Sequence, residues 1–183
     1  MNLFIDTHLN EVIIILFDEK KIIKKMKISN EKQNSKLIMP TIEKILGKNK
    51  PKSIIVVNGP GSFTGVRLGV TIAKTMAYVL NVPIRTISSL ECMAVTLDCD
   101  ERIVAFSDKN GYYIGIFNYN CELIGTYEYL SNKEFEEYSK DYNVFTNLKL
   151  DYKKIIDFAL KKDTLIPHEV NPIYIKKLDV EKW

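Results

Sequence analysis

The spacing of apolar residues changes repeatedly along this chain, and each change marks an element. Asn2–Ile5 and Val12–Phe17 are short apolar runs, and Lys21–Ser29 sets lysines around Ile22, Ile23, Met26 and Ile28. The polar breaks at Asp6-Thr7-His8 and Asp18-Glu19-Lys20 predict an antiparallel meander of three strands. From Asn30 the period becomes helical, with Leu37, Ile38, Thr41, Ile42, Ile45 and Leu46 on one face and Gly47 at the C-terminal position. Pro40 inside that stretch predicts a kink or a local break. Ile54–Val57, four β-branched residues, reads as a strand buried on both faces. Asn58-Gly59-Pro60-Gly61 ends it as a structural turn, because glycine admits positive φ and proline cannot continue a ladder. A helix follows, capped by Ser62 or Thr64 and ending near Asn81, with Pro83 just beyond. Ile84–Ile87 is the next strand, and Ser88 with Glu91 has the capping-box spacing that opens a helix through Met93, Ala94 and Leu97.

The second half restarts this order. Arg102–Ser107, Tyr112–Asn118 and Glu122–Tyr129 read as strands, Ser131–Ser139 as a helix capped by Ser131 and Glu134, Val144–Thr146 as a short strand and Tyr152–Leu160 as a helix. Pro167 and Pro172 mark an irregular tail that Ile173-Tyr174-Ile175 can dock as a last strand. Each half places an aspartate just after its first strand, Asp6 and Asp108. The expectation is an α/β layer fold made by a degenerate duplication, with residues 1–100 as one unit and a shortened copy at 101–183.

Composition narrows the classes. At 183 residues with 46% hydrophobic and 27% charged content the chain is an ordinary folded domain or pair of small ones. A net charge of +3 does not by itself call for nucleic acid or acidic membrane. Lysines on the third strand first suggest protection of an exposed sheet edge, with phosphate binding as the alternative. Cys92, Cys99 and Cys121 contain no CxxC pair, so reduced thiols are expected. Asp6 falls where a signal sequence would need apolar residues, and Val12–Phe17 is too short to span a bilayer, so a soluble cytoplasmic protein is expected.

Candidate chemistry centres on the Ile54–Leu80 segment. Gly65, Gly69, Ala73 and Ala77 recur every fourth residue, which puts four small side chains along one helical face. Two helix-interior glycines cost about 0.5–1 kcal/mol each relative to alanine. Close approach of another helix would compensate, while Val70, Ile72, Met76, Val79 and Leu80 pack on the sheet. An interface is expected there, with two intramolecular faces as the alternative. Arg67, a cation in the first helical turn, opposes the helix dipole and should find an acidic partner. The Gly59–Gly61 turn lacks the Gly-Lys-Ser/Thr ending of a Walker A loop and has Thr64 where a dinucleotide loop needs glycine, so tight strand–helix packing is its default role. Asp6 and Asp108 are candidates to position a metal or water, but Asn58 stands where a further acid would help. His8 and His168 form no closely spaced pair and read as solvated side chains, which leaves a metalloprotease without ligands. Ser62 lacks the context of a nucleophile elbow. No catalytic, cofactor or metal site is expected.

NGPGSFTGVRLGVTIAKTMAYVL followed by VPIRTISSLE closely resembles the signature segment of the TsaB family. The likeness extends to LFIDT, to the helix with Ser35, Leu37 and Pro40, to SDKNGYYIGIFN and to PIYIKK. Members are non-catalytic subunits of the bacterial complex that makes N6-threonylcarbamoyladenosine at position 37 of tRNA. The resemblance implies an actin/hexokinase-like fold of two ribonuclease-H-like lobes. It also implies a catalytic partner, TsaD, and an ATPase, TsaE, with tRNA met through the complex. By the same likeness the first two helices form the partner interface, in a homodimer when the protein is alone; this carries over to Leu37, Thr41, Gly65, Arg67, Gly69, Ala73 and Ala77. His8 and Asn34 depart from the family pattern, as does the short second lobe. The alternative is an ATP-dependent phosphotransferase or ATPase of the same superfamily, using Asp6 and the Gly59–Gly61 turn.

Overall fold

The computed structural model describes residues 1–9, 11–19, 21–29 and 35–175. Asn34, Lys20 and the Lys176-Lys177 end of the tail therefore lie outside the described residues. The first sheet holds β1 (Asn2–Asp6), β2 (Glu11–Asp18), β3 (Lys21–Ser29), β4 (Ile54–Val57) and β5 (Ile84–Ile87) in the order β3-β2-β1-β4-β5. The β1–β2–β3 meander is antiparallel, and β4 and β5 extend β1 in parallel. Alternate residues face opposite sides of a strand, so each of these central strands feeds two cores. On one side Leu3, Ile5, Ile14 and Val56 meet α1 (Ser35–Leu46) and α2 (Phe63–Leu80) through Ile38, Ile42, Val70 and Ala73. On the other, Phe4, Ile15, Ile55 and Val57 meet α5 (Tyr152–Ala159) through Ile155, Ile156 and Ala159.

The second sheet repeats the order. β6 (Arg102–Asp108), β7 (Gly111–Phe117), β8 (Glu128–Ser131) and β9 (Val144–Phe145) run β8-β7-β6-β9, again a meander with one parallel strand added beside its first. α3 (Ser89–Thr96) packs on β6, and α4 (Asn132–Asp141) on β7 and β8. Both capping boxes form: Ser88 with Glu91, and Ser131 with Glu134.

Four expectations are corrected. α1 runs through Pro40 without the local break expected there. The strand expected over Glu122–Tyr129 shrinks to Glu128–Ser131, because Gly125 at φ +77° turns the chain and leaves Leu123 only an isolated bridge to Phe117. Ile173–Ile175 does not form a strand; Ile173 N–H donates to the Asn58 carbonyl at 2.8 Å and the segment lies as irregular backbone. Val79, expected on the sheet, is 71% exposed.

Candidate functional site

The turn after β4 and the end of β1 meet at the start of α2. Ser62 caps that helix, its hydroxyl accepting from Gly65 N–H at 3.3 Å, while its own N–H donates to the His8 carbonyl at 2.9 Å. A Cβ added to Gly61 would stand 2.6 Å from that same carbonyl oxygen. At Gly65 it would meet the Thr7 carbonyl, and at Gly69 the Thr7 hydroxyl, both closer than any real Cβ sits. Thr7 in turn donates its hydroxyl to the Gly65 carbonyl at 2.7 Å. The close approach that these glycines allow is thus made by the β1–β2 hairpin of the same chain.

The small-residue face of Gly65, Gly69, Ala73 and Ala77 is thus turned to the chain's own hairpin and core, the intramolecular alternative named above. Gly69, Ala73 and Ala77 are buried and Gly65 half-buried; Ala73 and Ala77 sit in the core with Leu3, Ile5 and Val56. The physical reason is that a helix lying over the parallel pair β1 and β4 needs small residues wherever the hairpin backbone rises toward it. One amide of the turn, the Ser62 N–H, is committed to the His8 carbonyl.

Asp6, at the end of β1, is fully buried and fully engaged. Its Oδ1 accepts from the His8 N–H at 3.1 Å and faces His8 Nδ1 at 2.5 Å; its Oδ2 accepts the Tyr152 hydroxyl at 3.1 Å. His8, expected in solvent, is 1% exposed. Burial, and after it the Asp6 carboxylate, raise the Tyr152 phenol above its usual value, so it stays a neutral donor. Asp108 is exposed, with Tyr129 donating to its Oδ2 at 3.4 Å. Among the described residues no group of three or more His, Cys, Asp or Glu could hold a metal ion. Cys92, Cys99 and Cys121 are free thiols.

Among the described residues Arg67 finds aromatic rings and no acid. Its guanidinium lies 3.9 Å from the Phe63 ring centre and 5.5 Å from that of Tyr174, and its Nε donates to the Tyr174 hydroxyl at 2.7 Å. Cation–π contact supplies what the helix dipole withholds. This clamp fastens the tail to α2, together with Lys74 Nζ donating to the Val170 carbonyl at 3.1 Å and Asn58 Nδ2 to the Asn171 carbonyl at 3.1 Å. Between the sheets a cleft of about 560 Å³ is bounded by His8, Pro60, Phe106, Lys109 and the Ile173–Ile175 tail.

What remains uncovered is the outer side of α1 and α2. Leu37 is 47% and Met39 39% exposed on α1; Tyr78 is 64% and Val79 71% exposed on α2. Thr41 is half-buried between them and the core, and Thr64, Thr71 and Thr75 are exposed along α2. Of the expected interface residues, the structure leaves Leu37 and Arg67 outward and Thr41 partly so. Met39 and Tyr78 are outward with no interface expectation attached to them, and Val79 is outward where the sheet was expected. Their helical spacing made them outer-face candidates only once the inner face was known.

A 3-2-1-4-5 mixed sheet followed by a shorter copy of the same order, with helices on both sides, defines the duplicated ribonuclease-H-like arrangement of the actin/hexokinase-like class. Residues 21–125, more than half of the chain, match the family model described as TsaD, tRNA N6-adenosine threonylcarbamoyltransferase. With the relatives that follow, the chain belongs to the TsaB/YeaZ branch of that family. It is 34% identical over 130 residues to the tRNA threonylcarbamoyladenosine biosynthesis protein TsaB of Bacillus subtilis, covering 67% of this chain and 57% of that one. It is 39% identical over 69 residues to the Haemophilus influenzae protein of the same name, covering 35% and 29%. The chain thus spans well under two thirds of the length of these two relatives. Its fold is that of YeaZ from Pseudomonas aeruginosa, at TM-score 0.76 and 15% identity over 95% of this chain and all of that one.

Proposed function

We propose that this chain is a non-catalytic subunit in tRNA threonylcarbamoyladenosine biosynthesis, docking a TsaD-type threonylcarbamoyltransferase through the outer faces of α1 and α2. The observation that carries the reading is the pair of adjacent helices with Leu37, Met39, Tyr78 and Val79 turned outward although their inner faces are already satisfied. The closed state of Asp6 supports it, since a carboxylate saturated by His8 and Tyr152 does structural work. In this reading the lobes divide near residue 100, a TsaE-type ATPase joins the pair, tRNA is met through the complex in the cytoplasm, and the same helical face makes a homodimer when the partner is absent. No helix among the described residues is long and apolar enough to cross a membrane.

The test is co-expression with a TsaD-type protein followed by sizing and a tRNA modification assay. Leu37→Glu and Val79→Glu each place a charge where an apolar contact is required, so complex formation should fall by more than tenfold with the melting temperature of the free chain unchanged. Full complex formation by both variants would remove this face from the interface.

A further inference from the structure

Residues 1–100 hold 14 Lys and Arg against 9 Asp and Glu, a net of +5, whereas residues 101–183 hold 12 against 14, a net of −2. The positive excess has a focus on the edge strand β3. Lys25 and Lys27 pair across from Ile15 and Ile13, whose side chains enter the core on the α5 side, so both lysines stand on that face of the sheet. Lys25 Nζ lies 4.0 Å above the Tyr152 ring. Lys149 arrives from a different element, the loop before α5, and is exposed. It precedes by three residues Tyr152, the ring that Lys25 covers; the proton affinity of Lys25 is lowered by burial first, then by Lys27, and also by Lys149, with Asp6 and Glu11 opposing. Of those two acids, Asp6 is committed to His8 and Tyr152, and Glu11 pairs with Lys27 at 2.6 Å.

Edge protection explains lysines on β3, because a charged edge resists pairing with another strand. It does not explain Lys149, which belongs to no strand yet adds like charge to the same face. A cluster drawn from two elements, crowded enough to repel itself, is stabilised by an anionic partner. Lysine is a compact, strongly hydrated point charge suited to phosphates; it does not read base edges as a bidentate arginine does. Tyr152 is covered by Lys25 on this face, so no ring is offered for base stacking.

We propose that Lys25, Lys27 and Lys149 form a contact surface for the phosphate backbone of RNA, sequence-independent and separate from the α1/α2 face. The choice of RNA among polyanions rests on the function proposed above. The surface then positions the tRNA that the catalytic partner modifies.

Fluorescence anisotropy of the full chain with a labelled unmodified tRNA, titrated with salt, tests this. The triple variant Lys25→Gln/Lys27→Gln/Lys149→Gln should bind at least tenfold more weakly at low salt. Its slope of log affinity against log salt should fall by about 2–3, one step of nearly one for each lost phosphate contact. Lys48→Gln/Lys50→Gln/Lys52→Gln removes equal charge from the loop before β4 and should leave most of the affinity. Absence of binding by the wild type at low salt, an unchanged slope in the first variant, or an equal loss in the second would each overturn the proposal. Sizing of the same variants with the TsaD-type partner separates the two readings. Assembly should be intact in all of them, and failure of the wild type to assemble would count against the function without touching the RNA result.

Discussion

Gly69→Ala is the substitution on which the account of α2 depends most directly. In an unhindered helix the change would stabilise by about 0.5–1 kcal/mol, because glycine is the poorer helix former. Here the new methyl would collide with the Thr7 hydroxyl and would lie 3.1 Å from Thr7 Cγ2 and 3.2 Å from its Cβ. Overpacking of this kind costs about 1–3 kcal/mol. Displacing Thr7 also endangers its 2.7 Å bond to the Gly65 carbonyl, worth a further ~0.5–1.5 kcal/mol. The balance is a loss of about 2 kcal/mol, which for a chain of this size is a fall in melting temperature of about 4–8 °C. Thermal and urea unfolding of the wild type, Gly69→Ala, Thr7→Ala and the double variant completes a cycle. In the Thr7→Ala background the hydroxyl and Cγ2 are gone, so the added methyl should cost about 1–2 kcal/mol less. A Gly69→Ala protein as stable as the wild type or more so, or strictly additive single changes, would refute the packing of the hairpin on α2.

Three further outcomes follow from the structure. Ser88→Ala removes the hydroxyl that accepts from Glu91 N–H at 2.9 Å and lies 2.8 Å from the Tyr127 hydroxyl, and should cost about 1 kcal/mol in urea unfolding. Tyr127, with its phenol pushed up to about 12 chiefly by burial, and Tyr152, raised in the same direction, should stay neutral in an alkaline absorbance titration while exposed tyrosines ionise. Since both folded values lie above the unfolded ones, their contribution to stability is complete below about pH 10 and is lost as pH rises toward them, and Tyr152→Phe should flatten that decline. Isothermal titration of the free chain with Mg-ATP should show no micromolar site, since the Ser62 amide and the Asp6 carboxylate are already bonded within the chain.

The sequence is explicit about elements whose signals are local and silent about which way they face. Ser62, Ser88 and Ser131 announce helix starts through bonds made within three residues, and Gly47 and Asn81 close helices at positive φ. The duplicated meander is legible because alternation and turn residues recur in order. The orientation of α2 is not, because small residues at fourfold spacing suit any close neighbour, and only tertiary contact reveals that the neighbour is Thr7. His8 misleads for a related reason. A histidine two residues after an aspartate in a polar turn reads as solvated until Tyr152, 144 residues further on, closes the other side of the carboxylate. Arg67 was expected beside an acid, but its partners, Phe63 and Tyr174, are rings whose meeting depends on the path of the tail.

The Asp6 network also constrains how the molecule can move. Tyr152 belongs to α5, which follows the second sheet, yet it bonds an aspartate at the tip of the first strand and packs edge-on against Phe4 at 5.7 Å. Ile155, Ile156 and Ala159 of the same helix are buried in one core with Ile15, Ile55 and Val57. Detaching α5 from the first sheet would separate a buried hydrogen-bonded carboxylate from its donor, at about 1–3 kcal/mol for the orphaned group, and would expose part of that core as well. With α5 fastened to one side of the first sheet and α1 and α2 packed on the other, the outer face of α1 and α2 stands on a firmly held layer. Rigidity lowers the entropic cost of docking, which favours the docking role proposed above.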